Sequence, residues 1–250
     1  MEKREQIKKY FKISSPTLLF ILGVLFGLSV LMLRLTEGYD AESFFWTCSF
    51  VFGGATVIYF LIDYASKQNI VSDSQMDSWL EDDIAEVIKK RPYDKLGISK
   101  ADLVAESLLV LGPIYWNVSG FDVKDILMKK GKDGFNRYSI WTIQVFAFTE
   151  NYLCSYKCNY NWIKNTYINE STNEFFYKDV VSVKTDTVSS AYTLMNGQRL
   201  VHSEAFQLKL AGDEITVITN DDSLNTSSVM VSKAEKAVQS IRAMLRDKKK

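Results

Sequence analysis

The sequence predicts a membrane-anchored α+β protein: two transmembrane helices and a short helical neck, followed by an antiparallel β-domain with a C-terminal amphipathic helix. Three observations predict this class. Two uncharged apolar runs lie in the first quarter of the 250 residues. Beyond Ser107 the apolar period changes to two, and the chain closes with helical spacing. The predicted organisation is a basic N-terminus (1–15), a membrane hairpin (16–65), a linker and neck (66–103) and a β-domain (104–250).

The membrane hairpin rests on two apolar runs, Pro16 to Met32 and Phe44 to Ile62. As a helix each is about long enough to cross roughly 30 Å of hydrocarbon. A signal peptide is the competing interpretation of the first run, but no A-x-A-like site follows and a second run comes directly after. The N-terminus is basic and the connection between the runs is acidic. The positive-inside rule therefore predicts a multi-pass protein of the inner (cytoplasmic) membrane with both termini in the cytoplasm.

Small residues recur in both runs. Gly23 and Gly27 form a G-x-x-x-G pair, and the second run offers Ser49, Gly53 and Gly54. Such residues let helix backbones approach closely. Either the first pair drives self-association, or it packs one span against the other; we favour packing, because the second span is already tethered. Neither run contains Asp, Glu, Lys, Arg or His, so nothing in the sequence supports a proton relay or a transporter.

The neck is predicted as a helix over 74–91, with basic residues in its last turn and Pro92 as its stop. Its acidic residues could be imagined as a cation site, but we interpret them as a solvated face. A brief second helix follows, with Ser99 as its cap.

The β-domain is predicted from alternating apolar residues bounded by turn residues. One predicted strand is broken at Lys178 and Asp179, and a capping box at Ser232 and Glu235 opens the final helix. The predicted strands cover 107–118, 138–148, 152–160, 174–185, 204–211 and 215–219.

The bent strand and its neighbours resemble a bacterial pleckstrin-homology-like (PH-like) domain. The family has a tyrosine, a polar residue, an aspartate and a β-branched pair in this strand, where this chain has Tyr177, Lys178, Asp179, Val180 and Val181. A hairpin precedes that strand, and further strands and a C-terminal helix follow. The resemblance covers about residues 104–247 and implies a PH-like barrel or sandwich in which the bent strand is structural.

The resemblance also suggests a contact for anions. In members that bind phosphoinositides, basic residues between the first two strands hold the phosphates. The matching residues here are Lys129, Lys130, Lys132 and Arg137, which makes them candidates for contact with an anionic headgroup or a partner. Clustered basic residues near a membrane attract anionic lipid at about 1 kcal/mol each. A solvated loop is the competing interpretation.

The composition argues against catalysis. The 30 basic and 30 acidic residues balance, so no bulk charge recruits nucleic acid. His202 is the single histidine, and no nucleotide-binding, zinc-protease, hydrolase or kinase motif occurs. Cys154 and Cys158 would lie about 13 Å apart on one strand face, too far for a disulfide, and are predicted to be core thiols. We expect no cofactor, no metal site and no enzymatic activity.

The function predicted from the sequence is therefore a non-catalytic scaffold that presents a PH-like domain to a cytoplasmic protein or a lipid headgroup. The competing hypothesis is a membrane-perturbing effector, such as those of bacterial anti-phage defence. Its soluble domain would sense a trigger, and its hairpins would form a homo-oligomer.

Overall fold

The computed structural model describes residues 2–12, 16–35, 42–68, 70–189, 192–226 and 228–248. The chain forms two compact units, Met1–Val71 and Ser72–Lys250, and each is described by itself. The prediction of an acidic connection between the two apolar runs concerns mainly residues 36–41, which lie outside the described residues.

The first unit is helical. Its helices are α1 (Glu2–Phe11), α2 (Pro16–Leu35) and α3 (Glu42–Gln68). Two segments are long and apolar enough to cross a membrane: Leu18–Leu35, with 18 residues, and Ser43–Ala65, with 23 residues. Both agree with the apolar runs read from the sequence.

Small residues lie at the contact between α2 and α3. Ser49 Oγ donates a hydrogen bond to Ser29 Oγ at 3.0 Å. A Cβ on Gly53 would lie 2.9 Å from the Phe26 ring, so the absence of a side chain lets that ring pack against α3. Ser49 and Gly53 thus occupy the helix contact that the sequence predicted.

Gly23, Gly27 and Gly54 differ from that prediction. Among the described residues, no atom lies within 4 Å of the position that a Cβ would take on any of the three. Our expectation that Gly23 and Gly27 pack the hairpin together is therefore wrong for this structure. The Phe26 ring fills the contact instead, and the three glycines face open space.

The second unit begins with α4 (Asp73–Leu96), which Ser72 caps and Gly97 ends in a left-handed conformation with φ 67°. The predicted stop at Pro92 is wrong, because the helix continues for another turn. Tyr93 in that turn donates to Ser107 Oγ at 2.9 Å, and Lys95 contacts Glu170 at 3.3 Å. A short 3₁₀ helix then covers Lys100–Asp102, and the Asp102 carboxylate accepts the Ser99 backbone N–H at 2.7 Å.

Within the described part of the second unit, nine antiparallel strands and a last helix follow. They are β1 (Leu108–Ile114), β2 (Met128–Lys130), β3 (Asn136–Tyr138), β4 (Ile140–Phe148), β5 (Tyr152–Asn161), β6 (Thr166–Phe176), β7 (Val180–Val188), β8 (Ser203–Leu210), β9 (Glu214–Asn220) and α5 (Ser228–Lys248). One sheet has the order β1-β4-β5-β6 and another β7-β8-β9, while β2 and β3 form a small hairpin. The predicted α+β class is confirmed at this level.

The bent strand of the prediction is two strands joined at a corner. β6 pairs with β5 and β7 pairs with β8, so the chain changes sheets at the short 3₁₀ helix Tyr177–Asp179. The Tyr177 hydroxyl donates to the Thr149 carbonyl at 2.6 Å, and the Asp179 carbonyl accepts the Ala211 N–H at 3.0 Å. These bonds hold the corner. The sequence predicts core or sheet-packing roles for four residues of this stretch: Phe175, Tyr177, Val180 and Val183. Tyr177, Val180 and Val183 are buried, and Phe175 is partly buried against the same core.

The main core lies between the two sheets and α5. It contains Val110, Phe146, Phe148, Leu153, Val180, Phe206, Leu208, Leu210, Val217 and the helix residues Ala234, Ala237, Val238 and Ile241. The predicted apolar stripe of the last helix is confirmed there. That helix begins at Ser228, so Ser232 lies inside it and the predicted capping box is wrong. The Thr226 hydroxyl, shortly before that helix, donates to Asn220 Oδ1 at 2.8 Å.

β1 lies at the edge of its sheet. Gly112 and Pro113 within it predict either a bulge or an edge position, and the structure has the edge. A Cβ on Gly112 would lie 2.2 Å from the Ile218 carbonyl oxygen on β9. Only a residue without a side chain allows that approach, which brings the edges of the two sheets together.

Candidate functional site

One face of the β1-β4-β5-β6 sheet carries core residues at one end of its strands and polar residues towards the other end. Alternation and register place Phe146 and Phe148 on the same face as Thr142, and Thr142 pairs with Asn159. Lys157, two residues before Asn159, pairs with Ser171. Because side chains alternate along a strand, these polar residues continue the face that carries the core.

The polar half of this face borders a cleft of about 930 Å³. Thr142, Lys157, Asn159 and Ser171 line it on one side, and residues of β8 and β9 line it on the other. The wall also carries Trp116 and Tyr192, whose rings stack with centroids 4.8 Å apart. The volume is within the roughly 300–1,000 Å³ that is common for small-molecule sites. We call this space the inter-sheet cleft.

Lys157 is the charged residue of the inter-sheet cleft. It is partly buried, and burial lowers the pKa of its ammonium group. In the part of the chain that the structure describes, no side chain forms an ion pair or a hydrogen bond with it. Fully buried lysines normally have a partner, and Lys157, which is partly buried, has none among the described side chains.

Gln144 lies directly opposite Lys157 in the β4–β5 register and is fully buried. Its Nε2 donates to Ser155 Oγ at 2.8 Å and to the Tyr156 carbonyl at 3.1 Å. A carbonyl oxygen only accepts hydrogen bonds, so this contact fixes the orientation of the amide. Gln144 Oε1 then has no donor among the described residues. An unsatisfied buried acceptor costs about 1–3 kcal/mol, so it marks a place with unused hydrogen-bonding capacity.

The opposite face of β6 holds α4. Arg91 donates from Nε and Nη2 to the two Glu170 carboxylate oxygens at 2.7 and 2.8 Å. The Tyr156 hydroxyl donates to Glu170 at 2.6 Å, and Lys95 lies 3.3 Å away. The hydrogen bonds from Arg91 are the main cause that lowers the pKa of Glu170 to about 2, against the opposing effect of burial. We call this group the α4 clamp.

The α4 clamp adjoins the inter-sheet cleft in sequence. Glu170 lies between Asn169 and Ser171, and both of these line the cleft. The same stretch of β6 therefore presents cleft residues on one side and binds α4 on the other.

Two further contacts fix α4 to the β-domain. Trp162 Nε1 donates to Asp83 Oδ2 at 2.8 Å, and Arg137 donates to both carboxylate oxygens of Asp77 at 2.9 and 2.6 Å. Asp83 belongs to the acidic stretch that we interpreted as a solvated face, so at least this member has a packing role.

The four predicted headgroup contacts do not form one open patch. Lys129 and Lys130 lie on β2 and Arg137 lies opposite Lys129 on β3, while Lys132 lies in the loop that joins these two strands. Arg137 is buried and also donates to Asp133 at 2.6 Å. Lys129 is partly buried, which lowers its pKa, whereas Lys130 and Lys132 are exposed.

Cys154 and Cys158 are free and buried, as predicted for core thiols. Burial raises the pKa of each thiol to about 11. Within the described ranges, no three histidine, cysteine, aspartate or glutamate side chains come together as a metal site.

Sequence reasoning missed the inter-sheet cleft and the α4 clamp. The available signal was in β5, where Ser155, Lys157 and Asn159 alternate with tyrosines and cysteines. Three polar residues in a row on one face of a strand that is predicted to be central are unusual and could have marked a site. Comparison with known protein families, curated proteins and solved structures finds no match for this chain.

Proposed function

We propose that the chain is a non-catalytic, membrane-anchored binding module. The α2–α3 hairpin would hold it in a bacterial inner membrane with both termini in the cytoplasm. The β-domain, of the PH-like type, would bind a cytoplasmic protein or a lipid headgroup. The observation that carries the proposal is the inter-sheet cleft, in which Lys157 is partly buried and has no described side-chain partner, on a chain with two described helices long enough to span a membrane.

Exposed apolar side chains support the anchor. Phe20 is 71 % exposed, Trp46 60 % and Phe50 81 %. Surfaces of this kind are costly in water and are compatible with lipid. The basic residues of α1 support the proposed orientation.

The order of elements supports the PH-like assignment. A run of strands in one sheet, a corner, three strands in a second sheet and a terminal helix over the core follow one another in the order on which the resemblance rests. Lys130 and Lys132, which remain exposed, would be the headgroup contacts on the β2–β3 hairpin.

The chemistry of the cleft favours binding over catalysis. Its described lining contains one charged side chain, Lys157, together with amides, hydroxyls and apolar groups. Nucleophilic or acid–base catalysis requires a second group that exchanges protons at a defined distance. The described lining residues include no carboxylate, thiol or imidazole to serve as that group.

Native mass spectrometry of the tagged full-length chain in gentle detergent tests the proposal. We expect a stoichiometric protein or lipid with the wild type. Ser171→Trp, which fills the cleft, should lose it. Thr172→Trp, one residue along on the opposite face of the same exposed strand, should keep it. Absence of any component from the wild type, or its retention by Ser171→Trp, would overturn the proposal.

A membrane-perturbing effector is the second candidate, and one observation favours it. Gly23, Gly27 and Gly54 face open space, which leaves small-residue surfaces for contact with another copy. Replacing Gly23 and Gly27 by Leu should then abolish self-association in detergent. An unchanged oligomer size, measured by light scattering, would contradict the effector hypothesis.

A further inference from the structure

We infer that the inter-sheet cleft binds a ligand through a singly charged oxyanion, a carboxylate or a phosphodiester, with Lys157 as the anchoring cation. This inference rests on the proposed function, because it names the chemistry of the ligand that the binding module would hold. The site is separate from the β2–β3 hairpin, where the sequence placed the predicted anion contacts.

The charge of the cleft sets the charge of the ligand. Lys157 contributes one positive charge, and no acidic side chain is among the described lining residues. A partly buried cation without a counter-charge is unfavourable. A monoanion would neutralise it, whereas a second cation would be repelled.

Hydrogen-bond donors surround the Lys157 ammonium group. Ser171 is its direct cross-strand neighbour on β6, and such neighbours have Cβ atoms about 5 Å apart. Asn159 lies two residues along β5, roughly 7 Å away on the same face. Its Oδ1 is the acceptor for Thr142 Oγ1 at 3.4 Å, which leaves its Nδ2 as a donor. An ammonium, a hydroxyl and an amide N–H are thus placed around the space that one small anion would fill.

Gln144 is not among the described residues that line the cleft, but it lies opposite Lys157 in the β4–β5 register and has unused hydrogen-bonding capacity. The amide is locked by its two Nε2 hydrogen bonds, and Oε1 is buried without a donor. The Lys157 ammonium has three N–H groups, more than one monoanion needs. On ligand binding, one of these N–H groups would turn to Gln144 Oε1, opposite Lys157 in the register, and the others would turn to the ligand.

The other residues that line the cleft indicate the chemistry of the rest of the ligand, beyond its oxyanion. Ile114, Val217 and the stacked pair of Trp116 and Tyr192 offer apolar and aromatic surface. A cleft of about 930 Å³ takes a small molecule or the head region of a lipid. Both sources share the same oxyanion chemistry, so the test must separate them.

The test follows the side-chain amine signals of isotope-labelled lysine by NMR in the full-length protein. The protein is placed in nanodiscs of the neutral lipid phosphatidylcholine, and Lys157→Met assigns the Lys157 signal. The soluble probes are acetate and dimethyl phosphate, and the lipid probe is a nanodisc that contains phosphatidylglycerol. Lys184, an exposed lysine paired with Asp186, is the internal control.

We expect a saturable shift of the Lys157 signal and no comparable shift of the Lys184 signal. A response to the soluble probes alone indicates a soluble acid, and a response to phosphatidylglycerol nanodiscs indicates a lipid headgroup. Asn159→Leu should weaken binding about tenfold or more, because it removes one hydrogen bond to a charged group.

Equal shifts of both lysines, or no saturable shift of Lys157 with any of the three probes, would overturn the inference. The native mass spectrum separates this failure from that of the proposed function. One result would be a stoichiometric component that the wild type binds and Ser171→Trp loses, while the Lys157 signal does not shift with any probe. That result would support the binding module and contradict the oxyanion ligand.

Discussion

Replacing Glu170 by Gln should loosen α4 from the β-domain. The wild-type carboxylate accepts two hydrogen bonds from Arg91 at 2.7 and 2.8 Å and one from Tyr156 at 2.6 Å. Glutamine keeps the size of the side chain, but it removes the charge and places an NH₂ group where one of these donors needs an acceptor. The perturbation therefore acts on the α4 clamp alone.

The magnitude follows from the Glu170 pKa. A fall from the ordinary value of 4.5 to about 2 would correspond to roughly 3.4 kcal/mol, at about 1.36 kcal/mol per pKa unit. The Arg91 side chain remains 36 % exposed, so solvent screens part of this interaction. We therefore expect Glu170→Gln to lower the free energy needed to separate α4 from the β-domain by about 1.5 kcal/mol.

The loss should depend on pH in a defined direction. The pKa of Glu170 is lowered in the folded chain, so its contribution is full above 4.5 and disappears as the pH falls towards about 2. The difference in denaturant midpoint between wild type and Glu170→Gln should shrink across that interval, because a protonated Glu170 is also uncharged.

Hydrogen exchange of the full-length chain in detergent measures the effect locally. Peptides from β6 and the last turns of α4 should exchange roughly tenfold faster in Glu170→Gln. The control is Asp186→Asn, which breaks the exposed pair with Lys184 and should change nothing measurable. Unchanged exchange in β6 and α4, or an equal effect of the control, would refute the assigned role of the α4 clamp.

Two other predictions concern packing. Gly53→Val should destabilise the hairpin by about 1–3 kcal/mol, because its Cβ would lie 2.9 Å from the Phe26 ring. Gly54→Val, with no described atom within 4 Å of its Cβ, is the matched control, and SDS titration followed by Trp46 fluorescence compares them. Cys154 and Cys158 should resist iodoacetamide at pH 8 until denaturant is added, because burial holds both thiol pKa values at about 11. Rapid native alkylation of either thiol, seen by mass spectrometry, would contradict that burial.

The sequence determined the positions of most elements, because each repeats its apolar residues with the period of its own backbone. The hairpin of β8 and β9 follows from two alternating runs around Gly212, whose φ is 96°. The two apolar helices follow from composition alone. Such patterns can be recognised in the sequence because helix and strand geometry sets the spacing of buried residues within a few positions.

Local rules failed where tertiary contacts competed with them. Pro92 predicts the end of α4, but the helix continues for one more turn. In that turn Tyr93 donates to Ser107 and Lys95 contacts Glu170. The break at Lys178 and Asp179 was visible in the sequence, whereas the change from one sheet to the other was not. A strand pattern records which face is buried, and it carries no information about which strand will be the neighbour.

The inter-sheet cleft was decided by tertiary structure alone. Alternation places Lys157 on one face of β5, but a lysine in a strand is equally consistent with an ion pair or with full exposure. Its chemistry depends on residues distant in sequence, Gln144 and Ser171, that the register places beside it. It depends equally on the lack of a carboxylate among the described lining residues. Burial and electrostatic pairing are properties of the space around a side chain, and only the packing of the two sheets creates that space.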